Sequence, residues 1–102
     1  MLLKIDTAME GDTLNVTLSG EFDMGAIAEF RRRIEQDAEA WRRVVIDMSD
    51  LAFMDSSGLQ ELVRLDNRAR ERGLEVIIAR PSVPVLRLLE LTGLEQHFAL
   101  SD

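Results

Sequence analysis

The segment from Val44 to Leu59, VVIDMSDLAFMDSSGL, constrains the fold more than any other stretch, because a β-branched apolar run passes into two serines, a glycine and a helix-spaced apolar pattern. A strand that feeds a helix in this way belongs to an alternating α/β architecture. The passage also puts hydroxyls at a helix N-terminus, where the first backbone N–H groups have no intrahelical partner and the helix dipole is positive. A phosphate is readily accommodated at such a position.

The remaining chain fits the same scheme. Leu3 to Ala8 and Thr13 to Ser19 read as strands joined by a hairpin at Gly11-Asp12, and the alternation of Leu14, Val16 and Leu18 with polar residues gives the second strand one wet face. Ile27, Phe30, Ile34, Ala38 and Trp41 recur at helical spacing, predicting a helix from Met24 to Ala40 with Asp23 as its N-cap. Arg43 to Met48 is short and β-branched, which predicts a central strand buried on both faces. Leu59, Leu62, Val63, Leu65 and Ala69 mark a second helix ending near Arg72, with Gly73 at its C-cap. Glu75 to Ala79 is a further strand. Ser82 caps a third helix that tolerates Pro84 in its first turn and stops at Gly93, and a last short strand is expected around His97 to Leu100. The expectation is a single α/β domain over residues 1–102, with a mixed, mainly parallel sheet of four to five strands and helices packed against it. Function is expected at the carboxyl edge of the Val44 strand, which opens onto Asp55-Ser56-Ser57.

Composition narrows the function class. The chain of 102 residues is 46% hydrophobic and 30% charged, as in ordinary globular domains. Its formal net charge of −7, from 12 basic and 19 acidic residues, disfavours nucleic acid and anionic lipid and points to a protein partner. Arg31-Arg32-Arg33 and Arg42-Arg43 lie among Glu29, Glu35, Asp37 and Glu39 and read as a solvated face. Neither a membrane-spanning run nor a secretory signal is evident, and there is no cysteine, so the expected compartment is the cytoplasm.

Catalytic chemistry has little support. Ser56 and His97 lack a Gly-x-Ser-x-Gly elbow, a single histidine without cysteine makes a poor transition-metal site, and Asp47, Asp50 and Asp55 do not follow a calcium-loop spacing. No phosphate-binding glycine motif occurs. Neither a cofactor nor a metal is expected, and the chain is not expected to be an enzyme. Two capping schemes remain open at the serines: Ser57 with Gln60 as a capping box, which leaves Ser56 just outside the helix, or Asp55 as cap with Met54 and Leu59 as a hydrophobic staple. Phe53, Met54, Met48 and Leu51 read as core or as the rim of a contact patch.

These residues resemble the STAS domain family, most closely its bacterial anti-sigma factor antagonists. Gly20-Glu21-Phe22-Asp23 is similar to the family's Gly-Glu/Asp-x-Asp turn, Val45 to Ser49 to its central strand, Phe53 to Leu59 to its signature, and Leu86 to Leu94 to its last helix and turn. The resemblance implies a partner switch: the antagonist binds an anti-sigma factor that is itself a serine kinase, phosphorylation ends the association, and a serine phosphatase restores it. It also implies that the phosphoacceptor is Ser56, with Asp23 and Asp55 as acidic neighbours. The expected partner-binding residues are Asp23, Met54, Asp55, Ser56, Ser57, Gly58, Gln60 and Glu61. One departure is Gln60-Glu61 where the family commonly has Gly-Val, which adds a carboxylate to the first helical turn. Constitutive docking on a membrane transporter and a regulatory scaffold are the alternative roles.

Overall fold

The computed structural model describes residues 2–36 and 38–102; Asp37, grouped above with the charged helix face, and Met1 lie outside the described residues. Five strands and three α-helices follow in the order β1 (Lys4–Glu10), β2 (Thr13–Phe22), a 3-10 turn (Met24–Ala26), α1 (Ile27–Glu35), β3 (Arg43–Met54), α2 (Ser56–Glu71), β4 (Glu75–Ala79), α3 (Val83–Thr92) and β5 (Ala99–Ser101). The sheet order is β1-β2-β3-β4-β5, with β1 and β2 antiparallel and each later neighbour parallel. Three crossovers that step in one direction with one hand must all lie on one face of the sheet.

The core confirms that placement. Register aligns Leu14, Val44 and Val76, and then Val16, Ile46 and Ile78, on a single face. Phe30 and Ile34 of α1, Leu59, Leu62, Leu65 and Ala69 of α2, and Val85 and Leu89 of α3 join those strand residues in one buried cluster. On the other face, Asn15, Val45 and Ile77 are only half-buried. The expectation that β3 is buried on both faces is therefore corrected: β3 is central, but only one of its faces lies beneath helices.

Two further boundaries differ from expectation. β3 runs six residues beyond Met48, because its pairing with β2 shifts register between Thr17 and Ser19 and again between Gly20 and Glu21. Each irregularity moves the inward side chain, so Leu51 and Met54 replace the earlier parity of Val44, Ile46 and Met48. Helix α1 ends at Glu35, short of Ala40, and is preceded by the 3-10 turn. Trp41 still reaches the core from outside the helix, with its indole N–H donating to the Ile34 carbonyl at 3.3 Å. The chain turns here because Arg42 N–H is held by the Asp12 carbonyl at 2.8 Å, the start of its approach to β2.

Candidate functional site

The register brings Phe22 opposite Met54, so Asp23 and Asp55 leave neighbouring parallel strands side by side, about 4.8 Å apart in strand spacing. The Asp55 N–H donates to the Phe22 carbonyl at 3.3 Å and fixes the two exits to one another. Both aspartates are then N-caps. Asp23 Oδ1 accepts from Gly25 N–H at 3.1 Å, and Asp55 Oδ1 accepts from Ser57 N–H at 2.9 Å and Gly58 N–H at 3.1 Å.

This settles the capping question in favour of Asp55. Ser57 is the second residue of α2, not its cap, and Ser56 is the first helical residue instead of lying outside the helix. Because the Asp55 carboxylate serves the cap, the Ser56 hydroxyl is not needed for it, and Ser56 is exposed. Gly58 explains how close the helix sits. A Cβ there would lie 2.6 Å from the Phe22 carbonyl oxygen and 3.0 Å from Met54 Cγ, so only glycine lets the first turn of α2 press against the end of β2.

The other expected contact residues separate into two groups. Gln60 is exposed and Ser57 half-buried, whereas Met54 and Gly58 lie beneath the surface. Glu61 is also buried, its side chain 2% exposed, with Oε1 accepting from Arg31 Nε at 2.9 Å and Oε2 from Arg64 Nη2 at 2.7 Å. Arg64 continues to Glu35 Oε1 at 2.9 Å, and its hydrogen bonds to Glu61 hold the guanidinium more firmly charged than usual. Glu61 is thus a tie between α1 and α2, and its carboxylate does not face outward. Arg31, read from sequence as part of a solvated run, supplies half of that tie. Ile27, Arg31, Ser57, Gln60, Glu61 and Arg64 line a shallow cleft between the helices beside Ser56. No local spacing signals the Arg31–Glu61 pair, whose members are 30 positions apart.

Two exposed apolar side chains flank the serine edge. Phe53, expected as core or rim, is 47% exposed, and Met24, which the sequence did not single out, is 75% exposed. Ser82 stands at the start of α3, but its hydroxyl donates to the Leu51 carbonyl at 2.6 Å and stitches the helix to β3 without capping it.

The alternative chemistries do not assemble. His97 Nε2 lies 3.1 Å from Asp66, ten residues along α2 from Ser56 and so about 15 Å away along the helix. Asp47 accepts from Ser49 N–H and Oγ and pairs with Arg80; burial opposes its charge, but these bonds prevail and keep its carboxyl below the usual range. Among the described residues, no group of His, Cys, Asp and Glu side chains is arranged to hold a metal, and no helix is long and apolar enough to cross a membrane.

Comparison with known proteins identifies the family and the fold. A STAS-domain containing protein of Pseudomonas aeruginosa is 33% identical over 92 residues, covering 90% of this chain and 91% of the relative. The anti-sigma F factor antagonist of Paenibacillus polymyxa is 30% identical over 104 residues, covering 100% and 89%. The anti-sigma factor antagonist SpoIIAA superposes with a TM-score of 0.82 in its unphosphorylated form and 0.77 in its phosphorylated form, at 22% identity, covering 97% of this chain and 89% or 92% of the other. The STAS domain profile matches residues 4–102, and the chain belongs to the STAS domain family.

Proposed function

We propose that this protein is an anti-sigma factor antagonist that binds an anti-sigma factor serine kinase and is released by phosphorylation of Ser56, with a serine phosphatase resetting the switch. The observation that carries this reading is the Ser56 hydroxyl: exposed, on the first residue of α2, and left out of a cap that Asp55 already makes. Relatives named as antagonists of anti-sigma factors, and a similar fold solved in a phosphorylated form, support it.

The contact face is the edge formed by Asp23, Ser56 and Gln60, with Met24 and Phe53 as its apolar flanks. Met54, Asp55, Ser57 and Gly58 set its shape from beneath or alongside. A phosphate on Ser56 adds about −1.5 to −2 charge beside two aspartates. Because the α2 cap is complete without Ser56, the added charge leaves the domain folded and acts at the contact, by repulsion and by desolvation. A penalty of about 2–4 kcal/mol lowers affinity about thirtyfold to a thousandfold, enough to exchange partners.

The test combines modification and binding. Incubation with ATP and the anti-sigma factor kinases of the source genome, followed by peptide mass spectrometry, is expected to place one phosphate on Ser56. Ser56→Asp is expected to stay folded and lose the kinase by that same factor, while Ser56→Ala binds like the parent. Equal binding by the two variants overturns the switch.

A further inference from the structure

β1 is the long edge of the sheet. It spans seven residues, Lys4–Glu10, in unbroken register with β2 from Lys4 opposite Ser19 to Glu10 opposite Thr13, whereas β5 at the other edge has three. The two-residue turn Gly11-Asp12 makes Glu10 and Thr13 a pair that exchanges hydrogen bonds. The alternation of an antiparallel ladder then points the N–H and C=O groups of Ile5, Thr7 and Met9 away from β2. Among the described residues, no other backbone group bonds to them there. Sheet edges are commonly blunted by proline, by a bulge or by shortness, and β1 has none of these. Its charged residues Lys4, Asp6 and Glu10 are exposed and share the face that carries no helices, opposite in parity to Ile5.

We infer that β1 is a self-association edge, which pairs antiparallel with β1 of a second copy of the chain about a two-fold axis at Thr7. The order of charges selects this occupant and this register. Centred on Thr7, Lys4 of each protomer faces Glu10 of the other, Ile5 faces Met9, and Thr7 faces Thr7, so all the outward backbone groups meet. A slip of one residue would set them against groups already bonded to β2. A slip of two residues sets Asp6 against Asp6 in one direction and Asp6 against Glu10 in the other, and like charges directly opposite are destabilising. Lys4 Nζ lies 3.9 Å from Asp6 Oδ2, a loose contact between side chains 75% and 67% exposed, so it is free to turn to Glu10 of the other copy. Beside the axis, Arg33 approaches Thr7 Oγ1 at 3.5 Å and shares Glu29 with Arg32. Those three residues carry one net positive charge and Lys4, Asp6 and Glu10 one net negative, so the contact is neutral and the −7 of the chain resides elsewhere. The backbone ladder supplies the affinity. A strand pair of this length is a small interface, so the association is weak and reversible. It joins two five-stranded sheets into one, with all helices on one face and the two Ser56 edges at opposite ends. The inference does not rest on the proposed switch.

Sedimentation equilibrium over a range of concentrations tests this. The parent is expected to dimerise reversibly. Lys4→Glu and Glu10→Lys should each weaken the dimer about tenfold or more, since two opposite-charge pairs become like-charge pairs. An equimolar mixture of these two variants, and the double variant Lys4→Glu/Glu10→Lys, should both recover the parent's dissociation constant, because every charge again meets its opposite. Thr7→Pro removes an outward N–H that makes no bond within the protomer, so it should abolish the dimer while circular dichroism shows the monomer still folded. A parent that stays monomeric up to about 1 mM overturns the inference. So does a dimer that neither single reversal weakens, which would place the contact on another surface, or one that the charge swap fails to restore, which would exclude the Thr7-centred register.

Discussion

The two ends of α2 are closed differently: a side chain caps the first and the backbone closes the second, though each end holds one buried carboxylate. At the Ser56 end the charged side chains are engaged inside the protein: Asp55 caps the helix, and Glu61 is locked between Arg31 and Arg64. Exposed there are Ser56, Gln60 and the apolar side chains of Met24 and Phe53. At the Arg72 end the helix is closed by its backbone, with Leu74 N–H on the Ala69 carbonyl at 2.8 Å and Gly73 at a positive φ, while Arg70 ties buried Asp66 to the His97 carbonyl. The difference teaches that a surface is available for binding where the backbone meets its own hydrogen-bonding needs, and is a structural element where side chains must meet them. Substitutions of the engaged side chains, Asp55, Glu61, Arg31 and Arg64, should therefore cost stability, while those of exposed Arg68 and Arg72 should not.

The largest effect is expected from removing both cations around Glu61. Arg31→Met/Arg64→Met leaves a buried carboxylate with no partner and should destabilise the fold by about 3–5 kcal/mol, measured by urea denaturation. The triple replacement that also carries Glu61→Leu should recover most of this loss, since the orphaned charge is gone. A double variant as stable as the parent would mean that Glu61 is solvated and that the tie is ornamental to the site.

Gly58→Ala comes next. The new Cβ meets the Phe22 carbonyl, which belongs to a paired strand and cannot move freely, so a loss of about 1–3 kcal/mol is expected. Asp55→Ala removes the cap and should cost about 0.5–2 kcal/mol, whereas Ser57→Ala should stay within about 0.5 kcal/mol of the parent. Thermal melts rank the three. Were Ser57→Ala the more damaging of the two cap variants, the assignment of Asp55 as cap would fall. Arg68→Gln/Arg72→Gln supplies the contrast, with no expected loss of stability.

What the sequence disclosed follows the same division. Element order, the hairpin at Gly11 and the parallel sheet are visible because apolar period and turn residues are local signals. Asp23 and Asp55 are visible as helix caps for the same reason, whereas the role proposed for Ser56 comes from the family resemblance. The extension of β3 is hidden, because Ser49-Asp50 has the composition of a turn and two bulges break the period of two that identifies a strand. The end of α1 is hidden because Trp41 keeps the helical spacing after leaving the helix; it is held by an indole bond to Ile34 that no pattern records. Glu61 reads as a first-turn acid of the contact face, since its burial depends on Arg31, 30 residues away. Arg42 and Arg72 are likewise 30 positions apart and come to line one cleft only when the strand entrance and helix exit meet.

The smallest expected effect tests the one internal charge at the Arg72 end. Asp66 is 3% exposed, and burial pushes its carboxyl above the usual aspartate value; the neighbouring charges of Arg70 and His97 pull the other way without overcoming it. A carboxyl whose pKa is raised by folding binds a proton more tightly in the native state. Its contribution is therefore complete below the ordinary aspartate value and is lost as pH rises through the raised one. The Asp66→Asn variant cannot ionise. The unfolding free energy of the parent minus that of Asp66→Asn should fall as pH increases through the interval just above the ordinary aspartate range and then level off, with urea denaturation across that interval as the measurement. A difference that instead rises with pH would mean that Arg70 and His97 hold the carboxylate charged against burial. Asp66 would then be held as a charge between Arg70 and His97 as Glu61 is between Arg31 and Arg64, and the contrast between the two ends of α2 would narrow to how each end is capped.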